Sequence, residues 1–355
     1  MELLSKLVLT TILTVVFSSV YYWYGKLYQV VDVSRDGSQR GRTIVRGAGV
    51  CLLAAVVTHF LFSDVLHKSI LILVAGSILI TLLGLIDDHK SLRASTKLLV
   101  QSIIVLTVFY LFGFPPLVIN LGDVAVNLEG LLLLLPILVL IWCVNVHNFL
   151  DGVDGIACLE TLFVLPMASY FMFDAMNFWA EHLLVVATGT FILLCWNLPP
   201  ARMFLGDAGA TLLGFTIGCT IMIGFYIETS IGIAVLILYG AFLTDGTMTL
   251  LVRLIAGENC FRPHQQHLYQ LVEKKFGVIK CLQGLVLLNF LWFLPFALLA
   301  FFMPAASLLA GLIAFFPAIV GHTVFRYFLV FEITQKNQAG AEAAHLAIAR
   351  KARFG

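Results

Sequence analysis

The sequence predicts an all-α integral membrane protein of about eleven transmembrane helices, with its N-terminus outside and its C-terminus in the cytoplasm. Three observations predict it. The first is composition: of 355 residues 61% are hydrophobic and only 12% charged, with a mean hydropathy of +1.01. A soluble domain carries about 25% charged residues, and a chain this apolar would expose large greasy patches to water. The second is that the apolar residues fall in long runs, near the roughly 20 residues needed to cross a bilayer. The third is that all but Lys6 and Lys68 of the 21 basic residues fall in alternate connections, which the positive-inside rule assigns to the cytoplasm.

The runs lie near 5–25, 47–63, 69–86, 98–115, 128–146, 155–173, 181–198, 209–227, 231–250, 281–302 and 305–328. The first is a span rather than a signal peptide, because no small-residue cleavage site follows it. It ends instead in Tyr21-Tyr22-Trp23-Tyr24, an interfacial aromatic anchor. Pro136 is expected to kink the fifth run. Residues 1–330 then form one polytopic domain with inner loops 26–46, 87–97, 145–155, 199–208 and 251–280. The polar, Ala-rich tail 331–355 is expected to form a short cytoplasmic helix.

Composition also excludes functions. A net charge of +1 without a basic tract gives no footprint for nucleic acid. The seven cysteines are scattered, with no Cys-x-x-Cys pair, so neither a disulfide nor a zinc site is expected. No Gly-x-x-x-x-Gly-Lys loop occurs, so ATP hydrolysis is not expected.

Chemistry concentrates in four inner clusters, whereas the outer connections carry acids without repeated spacing. The first cluster is Asp87-Asp88 at the end of the third run. Adjacent carboxylates repel unless a cation or proton lies between them, and a helix C-terminus disfavours anions. Mg²⁺ takes such oxygens together with phosphates. The second is Asn145-x-x-Asn148-x-x-Asp151-Gly152-x-Asp154-Gly155. Asn145 and Asn148 would lie side by side on a helix, and the two glycines allow close backbone approach to a ligand. It lacks the later glutamate of a calcium loop. The third is Phe204-Leu205-Gly206-Asp207-Ala208-Gly209, in which Asp207 is either an N-cap or a metal ligand. The fourth is Arg262-Pro263-His264-Gln265-Gln266-His267. Its histidines share a helical face on that spacing. With no third ligand for zinc, arginine and histidine suit phosphate oxygens better. Carboxylates for a cation, amides for hydrogen bonds and basic groups for phosphate are the inventory of phosphoryl transfer.

In this order the clusters resemble the polyprenyl-phosphate N-acetylhexosamine-1-phosphate transferases of bacterial envelope biosynthesis. The matching pieces are Ile86-Asp87-Asp88 with Lys97-Leu98-Leu99-Val100-Gln101, the Asn145–Gly155 cluster, Phe204-Leu205-Gly206-Asp207-x-Gly209, and His264-x-x-His267. The ending His267-Leu268-Tyr269-Gln270 looks most like the O-antigen-initiating branch, since the peptidoglycan-precursor branch shows consecutive histidines here. Family members often carry Pro-Asn-x-Arg-Ser-x-His and Pro-Arg-Gly-Gly-Gly after the first span. This chain keeps Asp32, Ser38, Arg46, Gly47 and Gly49 but differs at the Pro, Asn and His positions.

The resemblance implies transfer of N-acetylhexosamine 1-phosphate from a UDP-sugar to undecaprenyl phosphate, with release of UMP. This would begin a lipid-linked glycan such as the O-antigen of lipopolysaccharide at the bacterial inner membrane. It implies Mg²⁺, with Mn²⁺ as a substitute, held by Asp207. Asp87 and Asp88 would position or deprotonate the lipid phosphate. Asn145, Asn148, Asp151 and Asp154 would serve the nucleotide, with Phe204 stacked on uracil. Arg262, His264 and His267 would hold the diphosphate or sugar, assisted by Lys97. The nearest alternative is phospho-N-acetylmuramoyl-pentapeptide transfer. From another class, a secondary transporter would place its ionisable residues near mid-membrane in paired halves, and no internal repeat is evident. The partners expected are thus the donor, the lipid acceptor and the bilayer, while oligomeric state, a homodimer included, is left open.

Overall fold

The computed structural model describes residues 2–33, 43–61, 68–113, 117–121, 124–128, 134–260, 262 and 264–354. Ser38, like Arg35, Arg40, Arg42 and Pro263, lies outside them. The chain is a multi-pass helical membrane protein. Every one of the apolar runs carries helix, as α1 (Glu2–Leu27), α2 (Val50–Leu61), α3 (Lys68–Lys90), α4 (Ala94–Phe112), α5 (Leu134–Phe149), α6 (Ile156–Met172), α7 (Asn177–Asn197), α8 (Gly206–Ile227), the pair α9 (Thr229–Leu238) and α10 (Gly240–Ile255), α12 (Val278–Leu288) with α13 (Leu294–Phe302), and α14 (Ser307–Phe354). The short α11 (Leu268–Phe276) precedes α12.

Seven of these helical stretches are long and apolar enough to cross a membrane by themselves, and the α9–α10 pair makes an eighth if it counts as one span. That pair is not the straight helix expected over 231–250; it bends by 71° at Tyr239. The stretch over 281–302 is interrupted by a π-helical turn at Asn289–Phe293. The tail is helical as expected, but it continues the last span, because α14 runs unbroken through both the last apolar run and the tail. Pro136 causes no kink. It sits in the first turn of α5, where its missing N–H would have had no intrahelical partner.

Two antiparallel hairpins modify the all-α expectation among the described residues. One pairs β1 (Val31–Val33) with β2 (Thr43–Val45), and the other pairs β3 (Leu117–Leu121) with β4 (Val124–Leu128). Thr43, Ile44 and Val45 are β-branched and favour extended backbone. Their strand sets the site, because Val45 also bridges in parallel to Met203. Phe204 N–H donates to Val45 O at 2.8 Å, Ala48 N–H to Phe204 O at 3.1 Å, and Gly49 N–H to Leu205 O at 2.8 Å.

The bundle is built around α8. Its apolar window is 83% buried, against 22% for α1 and 17% for the last span, so α8 is central and the first and last spans are peripheral. It packs on α3 and α5. At the α8 entrance Gly49 and Gly209 bring two backbones together, and a Cβ on Gly209 would lie 2.7 Å from the Gly49 Cα.

Candidate active site

The site begins where α3, α4 and α8 meet. Asp87 and Asp88 end α3, Lys97 opens α4 and Asp207 opens α8. Asp88 is fully enclosed. Its Oδ1 accepts the backbone N–H of Asp207 at 2.9 Å and its Oδ2 accepts that of Ala208 at 3.1 Å. A carboxylate at a helix N-terminus is favourable because the first N–H groups have no internal acceptors. So Asp88, from another helix, caps α8, and Asp207 is free of the N-cap role weighed for it. Gly206 makes the approach possible. Its φ is +72°, and a Cβ there would lie 2.7 Å from Asp88 Oδ2.

Two cations bind the carboxylates together. Arg46 Nε donates to Asp88 Oδ1 at 2.8 Å and its NH2 group to Asp207 Oδ1 at 3.2 Å; a third nitrogen lies 3.7 Å from Asp32. These carboxylates raise the Arg46 pKa despite the opposing effect of burial. Lys97 Nζ donates to Asp87 Oδ2 at 2.9 Å and also to Asp207 Oδ2. Asn148 Nδ2 donates to the same Asp207 oxygen at 3.1 Å. Asp87 Oδ1 accepts the Leu92 N–H. Asp207 is therefore the meeting point of three helices and the β2 turn.

The α5–α6 corner supplies the next wall. Asn148 reaches the cluster, but Asn145 does not. Its Nδ2 donates to Ile141 O of its own helix at 2.8 Å, so the expected amide pair does not form. Part of Asp151 reaches solvent, yet its carboxyl is enclosed. Burial first, then the charges of Asp207 and Asp88, push it well above the usual carboxylate range. Asp154 Oδ2 accepts the Ala201 N–H at 3.0 Å, which ties the corner to the loop bearing Phe204. Phe204 itself is half-buried.

The histidine loop closes on this corner from the other side. His267 precedes α11, and its N–H is accepted by Gln270 Oε1 at 3.2 Å. The expected shared helical face is absent, because His264 lies in irregular chain. The two rings nevertheless stack, with centroids 5.0 Å apart and planes at 28°. His267 also lies against Phe149, at 6.4 Å. Tyr269 Oη donates to Phe149 O at 3.0 Å. Burial and then the His267 charge lower the His264 pKa to about 4, and its buried Nδ1 has no hydrogen-bond partner among the described residues. Arg262 is exposed and enters none of the ion pairs among the described residues.

Asp87, Asp88, Lys97, Asn148 and Asp207 thus form one bonded network, with Asp151 electrostatically coupled to it; His267 packs on Phe149 at the corner, and His264 stacks on His267. Three further residues belong to the site. Arg46 stands out in the sequence only as a retained family position, and its local signal is the β-branched Thr43–Val45 strand before a glycine turn. Tyr269 stands out in the sequence only as part of the loop ending. Asp245, in α10, carried a signal in being an acid inside an apolar run. Its carboxylate accepts the N–H groups of Leu268 at 2.9 Å and Tyr269 at 3.0 Å. Between α10, α11, α12 and α14 lies an apolar cavity of about 550 Å³, whose polar end holds Asp245, Thr244 and His322.

Comparison with known proteins agrees with this geometry. The family model described as Glycosyl transferase family 4 matches residues 70–225, the stretch that runs from α3 through α8. A probable undecaprenyl-phosphate N-acetylglucosaminyl 1-phosphate transferase of Bacillus subtilis (strain 168) is 25% identical over 252 residues, covering 67% of this chain and 68% of that one. An undecaprenyl-phosphate alpha-N-acetylglucosaminyl 1-phosphate transferase of Thermotoga maritima is 26% identical over 291 residues, 79% and 84% of the two chains. A phospho-N-acetylmuramoyl-pentapeptide-transferase of Thermotoga neapolitana is 29% identical over 167 residues, 44% of this chain and 54% of its own length. From α3 through α8 the chain is thus similar to the polyprenyl-phosphate hexosamine-1-phosphate transferases of glycosyl transferase family 4.

Proposed function

We propose that the chain transfers N-acetylhexosamine 1-phosphate from a UDP-sugar to a polyprenyl phosphate and releases UMP. The observation that carries this reading is the joining of Asp87, Asp207, Lys97, Arg46 and Asn148 in one network. Two anionic substrates must meet in such a reaction, and a site of alternating acids and cations neutralises them both. An oxygen of the lipid phosphate attacks the sugar-bearing β-phosphorus. The bond from that phosphorus to the bridging oxygen breaks, and UMP leaves with the oxygen.

Each residue has a task in this scheme. Asp88 is saturated by Arg46 and two backbone N–H groups, so its task is to hold α8. Asp87 is less tied and directs one oxygen at Lys97, which suits contact with the lipid phosphate. Lys97 and Arg46 draw in phosphate oxygens. Asn148, Asp151 and the half-buried Phe204 face the nucleotide, and His264 and His267 the diphosphate. Asn145 and Asp154 hold backbone instead, and Arg262 reaches substrate from the exposed part of its loop.

Among the described residues no three His, Cys, Asp or Glu side chains enclose an ion. Mg²⁺, however, is ordinarily held by one or two carboxylates completed by phosphates. Asp87 and Asp207 already direct oxygens at one cation, the Lys97 ammonium, so this donor set fits Mg²⁺, with Mn²⁺ as a substitute. Such an ion supplies charge neutralisation between the two substrates.

The basic-residue partition supports eleven spans with the N-terminus outside, which puts the site at the cytoplasmic face of a bacterial inner membrane. The cavity beneath α11 offers apolar surface to a lipid chain. Two histidines in an x-x spacing favour the O-antigen type of reaction over phospho-N-acetylmuramoyl-pentapeptide transfer, the second reading, which the Thermotoga neapolitana relative supports. The test is purified protein with undecaprenyl phosphate, Mg²⁺ and a panel of UDP-sugars, including UDP-N-acetylmuramoyl-pentapeptide. UMP release with a UDP-N-acetylhexosamine supports the proposal. Release only with the pentapeptide donor favours the second reading, and no release with any donor favours a transporter.

A further inference from the structure

We propose that His322 and Arg326 of α14 are positioning residues for the histidine loop, acting through Asp245 and Gln266. Both lie beyond the part of the chain that the family model matches. His322 and Arg326 are four residues apart, on one face of α14. His322 Nε2 lies 3.2 Å from Asp245 Oδ1. A carboxylate only accepts, so the proton of that bond sits on Nε2. Arg326 Nε donates to Gln266 O at 3.2 Å and its NH2 group to Gln266 Oε1 at 3.3 Å. The last span therefore holds the loop between His264 and α11 at two points.

Asp245 is the hub. It is 7% exposed, on the arm just past the 71° bend. Its Oδ1 accepts from Leu268 N, from Thr249 Oγ1 at 2.9 Å and from His322; its Oδ2 accepts from Tyr269 N. His267 Nδ1 lies 3.5 Å away. Anchoring the first two N–H groups of α11 fixes where His267 stands. It also fixes Tyr269, whose hydroxyl reaches Phe149 O beside Asp151 and Gly152. A single buried carboxylate thus sets the histidine loop against the Asn148–Asp151 corner, and α14 sets the carboxylate. Losing the Nε2 donor leaves Asp245 short of one of its hydrogen-bond donors and frees the loop to shift.

The kinetic half of the test rests on the transferase reading, so a second readout is independent of activity. With His322→Ala, the KM for the UDP-sugar in the UMP-release assay rises about ten-fold or more, as loss of a hydrogen bond to a buried charged group would give, while that for polyprenyl phosphate stays within about two-fold. His322→Gln, which keeps a nitrogen donor near the Nε2 position, restores most of the wild-type value. Hydrogen exchange at the Leu268 and Tyr269 amides speeds up in His322→Ala and not in His322→Gln. An unchanged donor KM, a parallel rise in both KM values, or a His322→Gln as impaired as His322→Ala overturns the proposal. If the wild type releases no UMP with any donor, the transferase reading fails. The exchange rates then decide alone: faster exchange in His322→Ala upholds the positioning role and unchanged exchange ends it. Should His322→Ala not fold, Arg326→Gln is read by the same two measurements against Gln266 and its neighbours.

Discussion

Asp88 at the end of α3 caps α8 by accepting the N–H groups of Asp207 and Ala208. One member of an adjacent acid pair is thereby structural and the other is left for substrate. Asp88→Ala removes a cap from the central helix, a loss of about 1–2 kcal/mol, and frees the Arg46 guanidinium. The apparent Tm in detergent should fall measurably, and activity should fall with it. Asp87→Asn should leave the Tm nearly unchanged while turnover collapses. Equal Tm losses in both variants would contradict the division of labour.

Among the described residues Asp207 is the only carboxylate in contact with Arg46, Lys97 and Asn148 together. Asp207→Asn keeps the shape but removes the charge. UMP release should drop by about 100-fold or more, with membrane insertion and elution volume unchanged. The response to Mg²⁺ titration should also disappear. Turnover retained within a few-fold would remove Asp207 from the chemistry.

How much of this was readable in the sequence depends on how locally each feature is encoded. Helix existence follows from apolar runs, and every run carries helix among its described residues. The bend at Tyr239 and the π-helical turn at Asn289 leave no mark in composition, because they are set by packing against neighbours. Asp87, Asn148 and Asp207 stand out because acids and amides at span ends are costly without a partner, whereas Lys97 stands out only through the family resemblance. Asn145 shows the limit of spacing, which alone cannot say whether an amide turns to a ligand or, as here, back onto its own helix at Ile141 O. Arg46 and Asp245 depend on pairings across long stretches of chain. The β2–Met203 bridge delivers the first, and the α10–α11 approach creates the second.

His264 gives the site a pH signature. Burial and the neighbouring His267 and Arg253 lower its pKa from 6.5 to about 4. Between these values the unfolded chain binds a proton that the folded chain refuses, so stability rises with pH there. The contribution is complete above about pH 6.5 and lost as pH falls toward 4. Apparent Tm should therefore drop on acidification through this window, and His264→Asn should flatten that part of the curve. A variant whose Tm falls as steeply as the wild type would show that other groups carry the dependence.

Gly152 and Tyr269 offer a test of how the histidine loop meets the Asp151 corner. A Cβ at Gly152 would run into the Tyr269 hydroxyl, which is itself held by Phe149 O and cannot retreat without breaking that bond. Overpacking of this kind costs about 1–3 kcal/mol, and here the strain falls on the residue that sets α11. Gly152→Ala should thus lower kcat/KM for the UDP-sugar as well as the Tm. Tyr269→Phe removes the obstructing oxygen together with its hydrogen bond, so alone it should be mildly harmful. In the Gly152→Ala background the same change should be beneficial, because the collision is relieved. A coupling energy of opposite sign to the sum of the single effects is the expected result of the double-mutant cycle. Strict additivity would mean that the two residues do not touch in the working enzyme, and that the histidine loop stands farther from the Asp151 corner than the structure places it.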